Sequence, residues 1–293
     1  MSLGTIKFNN TNFISPFREI VAYEALWNAK NASFKKISEL FKQHPGSRPS
    51  DLVDPREIDE LSDKIKSYIT KESPYKPNLL INGTFDYPEQ LKDAKEPVEV
   101  LYYSGNIDYL STPCIAIVGT RKPSEDGAKR AAKLSRLLVS DGYTIVSGLA
   151  MGIDTIVHNT AISCGGKTIG VIGTPLNEYY PKENTPLQNH IAKNHLLVSQ
   201  VPFFRYSQQT PFWNKLFFPE RNKTMSALTK ATIIIEAGET SGTLIQAKAA
   251  IDQDRKLFIL DSCFNNNSIT WPEKFLKLGA IRVKEYEDIK ANL

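Results

Sequence analysis

Cysteine is scarce in this chain, and long apolar runs are missing from it. The three cysteines among 293 residues, Cys114, Cys164 and Cys263, are far apart and odd in number. That spacing suits neither a disulfide framework nor a metal cluster, so we predict buried free thiols and no metal site. No apolar stretch approaches the roughly 18 residues of a membrane span, and the N-terminus lacks the charged-then-apolar pattern of a signal peptide. We therefore expect a cytoplasmic protein with no membrane segment.

An excess of one charge is missing too. The 36 Lys and Arg side chains nearly balance the 32 Asp and Glu side chains, which leaves a net charge of +4. Overall charge therefore gives little attraction for a polyanion. If the chain binds nucleic acid, a few well-placed cations must do so.

The hydrophobic pattern divides the chain into two parts. Apolar residues recur at helical spacing over residues 14–69, with a Pro- and Gly-containing break at 44–50 and a new helix start at Asp54-Pro55. Residues 73–77, which read Ser-Pro-Tyr-Lys-Pro, are the predicted linker. We predict a small helical domain over residues 1–75 and a second domain over residues 76–293.

In the second part, short apolar segments alternate with segments of helix length. A strand with one exposed face is predicted over 98–103, and buried strands are predicted over 115–118, 143–147, 168–172, 195–199, 231–236 and 256–260. This alternation predicts the α/β class, with a mostly parallel sheet and helices on both of its faces. Ligands of such sheets bind at the carboxyl ends of the strands.

The loop after the first buried strand is the most informative segment. Gly119 permits a sharp turn, and Ser124 has the position of an N-cap for a helix that runs to about Ser140. The free N–H groups and the positive dipole end of this helix predict an anion site. Arg121 adds donors that suit a phosphate. The loop is neither Gly-x-Gly-x-x-Gly nor a Walker sequence, so dinucleotide and P-loop interpretations fit poorly.

The loops after the next two strands carry polar and aromatic residues. Ser147 and Gly148 end the second buried strand and suit an anion. Tyr179, Tyr180 and Lys182 follow the third. Aromatic rings beside a cation favour single-stranded nucleic acid, but tyrosines also simply pack and form hydrogen bonds. Both interpretations of the tyrosines stay open, and Lys182 is the preferred candidate.

The fourth loop supplies two more cations. We expect Arg221 and Lys223 just before one helix, while residues 241–243, Ser-Gly-Thr, open the next. Backbone N–H groups and hydroxyls at such a turn can bind phosphate. For Arg221 the alternative is a structural ion pair with Glu220 or Glu236.

Asp154 and His158 are a further pair that invites a catalytic interpretation. They are four residues apart on a predicted helix, so they share one helix face. An acid–base pair is one interpretation. We favour the other, in which an aspartate at the helix start holds the histidine in place.

Taken together, these segments resemble the DNA-processing protein A (DprA/Smf) family over roughly residues 87–260. The motifs that carry the resemblance are Tyr87-Pro88-x-x-Leu91, Leu101-Tyr102-x-x-Gly105-Asn106, Val118-Gly119-Thr120-Arg121, Ser147-Gly148-Leu149-Ala150-x-Gly152-Ile153-Asp154-x-x-x-His158, Gly165-Gly166-Lys167-Thr168, Tyr180-Pro181-x-x-Asn184, Phe218-Pro219-x-Arg221-Asn222 and Ser241-Gly242-Thr243-Leu244.

The resemblance implies an extended Rossmann-like, doubly wound domain that binds single-stranded DNA as a homodimer. It further implies protection of incoming strands and their transfer to the RecA recombinase during natural transformation, without a cofactor. By motif position, the nucleic-acid or phosphate-binding residues are Gly119, Thr120, Arg121, Ser147, Gly148, Lys182, Arg221, Asn222, Lys223, Ser241, Gly242 and Thr243.

Departures from the family pattern leave a second role open. Residues 260–263 read Leu-Asp-Ser-Cys where the family usually has Pro-Gly, and Gln246 stands where threonine is common. We also expect no additional C-terminal domain after Leu293. The alternative is a DprA-like regulator or antitoxin that neutralises a neighbouring toxin or effector in a mobile-element or phage-defence system.

An enzymatic alternative comes from a more distant resemblance. The residues shared with LOG-type nucleotide phosphoribohydrolases are Glu220, Arg221, Met225, Gly242 and Thr243. Those hydrolases continue with Pro-Gly-Gly and a glutamate, whereas this chain has Ala237 in that segment and Gln246 at the glutamate position. A glutamine cannot ionise to stabilise an oxocarbenium-like transition state. We therefore expect a non-enzymatic protein.

Overall fold

The computed structural model of the chain describes residues 15–70, 76–93 and 98–293, and in these residues nine strands form a single sheet. The strands are β1 (Asn78–Ile81), β2 (Val100–Gly105), β3 (Cys114–Val118), β4 (Thr144–Ser147), β5 (Thr168–Ile172), β6 (Leu196–Ser199), β7 (Ala231–Ile234), β8 (Lys256–Leu260) and β9 (Ile281–Val283). Their order across the sheet is β1-β2-β6-β5-β4-β3-β7-β8-β9. The strands from β6 to β9 in this order are parallel, and β2 pairs antiparallel with β1 and β6. The predicted α/β class and mostly parallel sheet are confirmed.

Helices join the strands and cover the sheet. They are α1 (Pro16–Asn28), α2 (Phe34–Gln43), α3 (Pro55–Thr70), α4 (Glu125–Ser140), α5 (Ile153–Ser163), α6 (Thr185–Asn194), α7 (Phe203–Gln208), α8 (Pro211–Asn214), α9 (Phe217–Ala227), α10 (Thr243–Asp252), α11 (Asp261–Phe264), α12 (Trp271–Lys277) and α13 (Tyr286–Lys290). Among the described residues, no helix combines the length and apolar character that a membrane crossing requires.

Strand β3 is the point at which the order of strand addition across the sheet reverses. From β3 it adds β4, β5 and β6 on one side, and it then crosses back to add β7, β8 and β9 on the other. In register, Ile115 of β3 lies opposite Ile145 of β4 and Ala231 of β7. The loops that follow β3 and β7 therefore leave the sheet side by side and diverge, which opens a crevice at their carboxyl ends.

Two predictions about individual segments need correction. The strand predicted over 98–103 is β2, and Val100, Leu101 and Tyr102 are all buried. The predicted exposed face is absent because the N-terminal helices pack on one side of β2, and the other side joins the main core. Among the cysteines, Cys114 and Cys263 are buried free thiols as predicted, but Cys164 is exposed at the C-terminal end of α5.

A buried carboxyl group connects the N-terminal helices to β2 and α7 through hydrogen bonds. Glu24 of α1 accepts the backbone N–H groups of Phe203 and Phe204, at 2.8 and 2.9 Å, and the Tyr102 hydroxyl at 2.8 Å. Burial raises the pKa of Glu24 to about 7, although these hydrogen bonds stabilise the carboxylate and so act to lower the pKa. The predicted helical character of residues 14–69 is confirmed by α1, α2 and α3 from residue 15 onward, and residue 14 lies outside the described residues. The division into two domains near residue 75 stays a prediction, and residues 71–75 lie outside the described residues.

Candidate nucleic-acid interface

The predicted helix start after β3 is confirmed, but its positive end is already occupied. Ser124 is the N-cap of α4, and its hydroxyl oxygen accepts the Gly127 N–H at 3.0 Å. The same hydroxyl donates to Glu236, just after β7, at 2.8 Å, and the Ser124 N–H reaches that carboxylate at 3.3 Å. A carboxylate of the chain itself therefore satisfies this helix end. The prediction that the α4 terminus holds an external anion is corrected accordingly.

A cavity of about 510 Å³ opens where the loops after β3 and β7 diverge. Eight of the twelve predicted site residues line it: Gly119, Thr120, Arg121, Arg221, Asn222, Ser241, Gly242 and Thr243. Lys122 also lines this cavity, although the motif positions did not single it out. Residues from four separate segments thus meet at the carboxyl edge of the sheet.

Hydrogen bonds connect the walls of this cavity. The side-chain amide of Asn222 in α9 donates to the Gly242 carbonyl at 3.0 Å. The Thr243 hydroxyl donates to the Gly119 carbonyl at 3.4 Å, and its backbone N–H donates to the Ser241 hydroxyl at 3.2 Å. The turn before α10 is therefore held against both the β3 loop and α9.

A second cavity of about 510 Å³ adjoins the first and shares Arg121, Ala150, Phe218 and Arg221 with it. Its remaining lining includes Gly148, Tyr180 and Lys182, so it brings in two more predicted residues. We call the two cavities together the crevice. Its exposed charges are Arg121, Lys122, Lys182 and Glu183, a net excess of two positive charges.

Arg221 is buried at the centre of the crevice wall. Only 7% of it is exposed, and its Nη1 donates to the carbonyl oxygens of Gly148 and Val171, both at 2.6 Å. Burial lowers the pKa of Arg221 to about 10, and the nearby Asp154 opposes that shift. The side chain is therefore a cationic bridge between the ends of β4 and β5.

Asp154, rather than the Glu220 or Glu236 considered from the sequence, is the acidic group whose charge acts on the buried Arg221. Its carboxylate accepts the N–H groups of Gly148 at 3.2 Å and Ala150 at 3.3 Å. Burial raises the pKa of Asp154, while the charge of Arg221 counteracts this rise. Arg221 of α9 bonds to the carbonyl of Gly148 and Asp154 of α5 bonds to its N–H, so the two side chains hold the loop after β4 from opposite sides.

Gly148 is required at this place because Arg221 approaches it so closely. A Cβ atom there would lie 2.4 Å from Nη1 of Arg221 and 2.7 Å from its Cζ. Such contacts are far below van der Waals distance, so any side chain would displace the guanidinium group. The sequence predicted an anion at Gly148, and the structure places the guanidinium group of Arg221 against it.

The structure does not bring Lys223 and Ser147 into the crevice. Helix α9 begins at Phe217, so Arg221 and Lys223 lie within it and not before it. Residues two apart on a helix point about 200° apart, and Lys223 faces another cavity, where it forms a 2.8 Å ion pair with Glu220. Ser147 is fully buried, and its hydroxyl donates to the Ile117 carbonyl at 2.7 Å.

The structure also corrects both interpretations of Asp154 and His158. Asp154 serves the loop and Arg221, as described above, while Nδ1 of His158 lies 2.7 Å from the Thr168 hydroxyl. Burial lowers the pKa of His158 to about 3, so the ring is neutral. A threonine therefore positions this histidine, and it packs beneath the crevice. Among the described residues, no group of three His, Cys, Asp or Glu side chains could hold a metal ion.

Aromatic rings flank the cations of the crevice. Tyr180 is 49% exposed, and its ring centroid lies 5.2 Å from that of Phe218. Phe218 lies in turn 5.9 Å from the guanidinium carbon of Arg221. Tyr179 instead packs through a 2.8 Å hydrogen bond to Asn189. Phe218 was missing from the predicted site, although its place beside Pro219 in the matched motif was an available signal.

Comparison with known proteins gives concordant similarities. The sequence model of the family described as DNA recombination-mediator protein A matches residues 78–293. Protein Smf of Synechocystis is 33% identical over 240 residues, which cover 80% of this chain and 55% of that protein. The chain thus spans about half the length of that relative.

Two solved structures share the fold over most of the chain. The crystal structure of DNA processing protein A from Streptococcus pneumoniae is 28% identical, with a TM-score of 0.74 over 96% of this chain and 98% of that one. The Helicobacter pylori protein of the same name, solved to show its mode of single-stranded DNA binding, is 29% identical. Its TM-score is 0.63, and the match covers 74% of this chain and 95% of that one.

Proposed function

The chain belongs to the DNA recombination-mediator protein A (DprA/Smf) family, and from this premise we propose that it binds single-stranded DNA in the crevice. The observation that carries the proposal is the convergence of Arg121, Lys122 and Lys182 on one sheet edge, around the exposed ring of Tyr180 and the half-buried ring of Phe218. A chain with a net charge of only +4 needs such a local concentration of cations to hold a polyanion.

The three exposed cations of the crevice bind phosphate groups in this proposal. Arg121 and Lys122 extend from the β3 loop, and Lys182 extends from the segment before α6. Phosphate contacts fix the strand without reading its sequence. Ser241 and Thr243 line the same cavity and supply polar groups at the start of α10.

Tyr180 and Phe218 provide the surface for the bases. Stacking tolerates any base, since every base has a π-face. A groove with cations on one side and rings on the other therefore predicts general single-strand binding. Double-stranded DNA, whose bases are already stacked, cannot use the rings.

We propose binding and not catalysis, as the sequence suggested. Gln246 is 1% exposed, and its amide nitrogen donates to the Thr232 hydroxyl at 3.2 Å. This contact gives the residue a packing role at the position where the hydrolases have a glutamate. The cytoplasmic location, the homodimer, and contacts with RecA or a neighbouring toxin stay predictions.

Titration of a labelled oligo-dT of about 20 nucleotides, followed by fluorescence anisotropy, tests the proposal. We expect Arg121→Ala and Lys182→Ala each to weaken binding about tenfold, or ~1.4 kcal/mol. Arg136→Ala is the matched control, because Arg136 is an exposed cation on α4 that lines neither cavity of the crevice. Unchanged affinity in both crevice variants would exclude the crevice as the DNA site.

A further inference from the structure

A larger cavity lies on the opposite side of α9 from the crevice. Its volume is about 700 Å³, and it lies between the turn that joins α1 to α2 and the segment from α7 to α9. The aromatic residues that line it are Trp27, Phe34, Trp213 and Phe217. Of the twelve predicted binding residues, Lys223 alone lines this cavity.

The aromatic rings of this cavity form a packed floor and an open rim. Trp27 packs edge-on against Phe34, with ring centroids 4.7 Å apart, and Phe34 packs against Phe217 at 5.9 Å. At the rim, Trp213 is 54% exposed and Phe212 is 69% exposed. Their rings stand 85° apart, with centroids at 5.4 Å. Large exposed rings of this kind offer a flat face to a ligand.

The charges around the cavity favour an anionic ligand. Three cationic side chains, Lys35, Arg205 and Lys223, line it together with one acidic side chain, Glu220. Glu220 pairs with Lys223 at 2.8 Å, and Lys35 lies 3.8 Å from the exposed Glu39 carboxylate on its own helix. Exposed pairs of that kind are weak, so Lys35 and Arg205 are the two cations of the lining that a phosphate can approach. Flat rings beside a positive excess are the combination that binds single-stranded nucleic acid, where bases stack and phosphates meet cations.

The cavity adjoins the crevice at α9. Pro219 lines both cavities, while Phe218 and Arg221 face the crevice, and Phe217 and Lys223 face the other side. Because α9 is the shared wall, a strand that leaves the crevice beside Phe218 meets the aromatic rim after it crosses Pro219. A single polyanionic chain could therefore occupy both places.

We propose that this cavity is a second single-stranded DNA subsite, in which a base stacks on Trp213 and the phosphates meet Lys35 and Arg205. The subsite rests on the proposed function, since it extends the strand held in the crevice. It also gives Lys223 a role on the face where the structure places it. A strand must be long enough to reach from the crevice across α9 before it can use the subsite.

Oligonucleotide length separates the two sites. We would compare oligo-dT of about 6 and about 20 nucleotides, within and beyond the usual reach of one binding fold. Trp213→Ala should weaken the 20-mer about tenfold, as expected for the loss of one stacked base, and change the 6-mer less than twofold. Phe85→Ala is the matched control, since Phe85 is a fully exposed ring that lines neither the crevice nor this cavity.

Tryptophan fluorescence provides a second readout for the same step. Trp213 is the exposed tryptophan, whereas Trp27 and Trp271 are each only 2% exposed. Stacking should quench the emission with the 20-mer but not with the 6-mer, and Trp213→Phe should remove that quenching.

The outcomes distinguish failure of the subsite from failure of the proposed function. If Arg121→Ala weakens both lengths but Trp213→Ala leaves the 20-mer unchanged, the subsite is overturned and the crevice stands. If neither variant changes either length, both proposals fail. A change in self-association of Trp213→Ala by sedimentation, with unchanged 20-mer affinity, would identify the rim as a contact between copies and would also overturn the subsite.

Discussion

At the scale of single residues, Arg221 shows how a motif residue can serve a site without contacting the ligand. Its guanidinium group donates hydrogen bonds to two backbone carbonyl oxygens, and the negative charge of Asp154 lies nearby. Arg121, by contrast, is exposed at the crevice mouth. We therefore assign Arg121 to phosphate contact and Arg221 to positioning of the loops that form the wall.

Replacement of Arg221 by Met tests this assignment. The change removes two buried hydrogen bonds made by a charged group, which typically contribute about 1.5–3 kcal/mol each, and it leaves Asp154 without the positive charge that opposes its burial. Urea unfolding should show that loss in Arg221→Met and no loss of comparable size in Arg121→Ala. Combination with Asp154→Asn should recover part of the stability, because the unpaired charge is then removed. Wild-type stability in Arg221→Met would contradict the positioning role.

At this scale the sequence predicted a helix cap, but it did not predict the direction in which Arg221 points. The N-cap at Ser124 followed from local pattern, because a cap depends on the next three residues. The inward direction of Arg221 depends on the carbonyls of β4 and β5, about 50 to 73 residues earlier in the chain. No local pattern carries that information.

At the scale of elements, the start of α4 joins two strands through one carboxylate. Ser124 caps the helix, and Glu236 from the end of β7 holds the cap. This contact fixes the β3 loop, which carries Arg121, relative to β7. The stability of the crevice thus depends on a hydrogen-bonded connection 112 residues apart in the chain.

Ser124→Ala should lower the free energy of unfolding by about 1 kcal/mol, the usual cost of a lost N-cap. Chemical denaturation measures this directly. A loss of similar size in Ser163→Ala, whose hydroxyl bonds only to the Thr160 carbonyl at the exposed end of α5, would mean that the effect is not specific to capping.

The attachment of α1 to α7 predicts a pH dependence. The pKa of Glu24 is about 7 in the folded protein and near its ordinary 4.5 in the unfolded chain. The folded state therefore binds more protons at Glu24 between these values, so the contribution of this group to stability falls as pH rises from about 4.5 to 7. Burial also raises the pKa of Glu99 to about 7, with the same sign. The lowered pKa of His158 acts in the opposite direction below about 6.5, and the Glu24 contribution is measured as the difference between wild type and a Glu24 variant.

Glu24→Gln should flatten this dependence, because glutamine does not titrate. The measurement is unfolding free energy at several pH values between about 4.5 and 7, for wild type, Glu24→Gln and Glu99→Gln. Each single variant should lose one of the two downward contributions and keep that of the other carboxyl group, so its slope should be less negative than that of the wild type. A slope that stays as steep in Glu24→Gln as in the wild type would refute the assigned role of this residue.

At the scale of the whole molecule, parallel topology explains why the crevice residues could be expected to converge. Strand ends meet at one edge of a parallel sheet, so motif order along the chain predicted that the loops with Gly119, Arg221 and Thr243 come together. The helical layer over β2 and the short strands β1 and β9 were not predicted. They depend on packing between distant segments, and their own sequences lack a period that distinguishes them.

The most direct test of the central claim is the salt dependence of binding to a short oligonucleotide. With about 6 nucleotides, only the crevice is occupied, and three exposed cations predict a slope of log affinity against log salt of about −2, at roughly −0.7 per contact. The double variant Arg121→Ala with Lys182→Ala should have a slope near −0.7, while Arg136→Ala keeps the wild-type value. A wild-type slope near zero, or the same slope in the double variant, would contradict the claim that these cations hold single-stranded DNA.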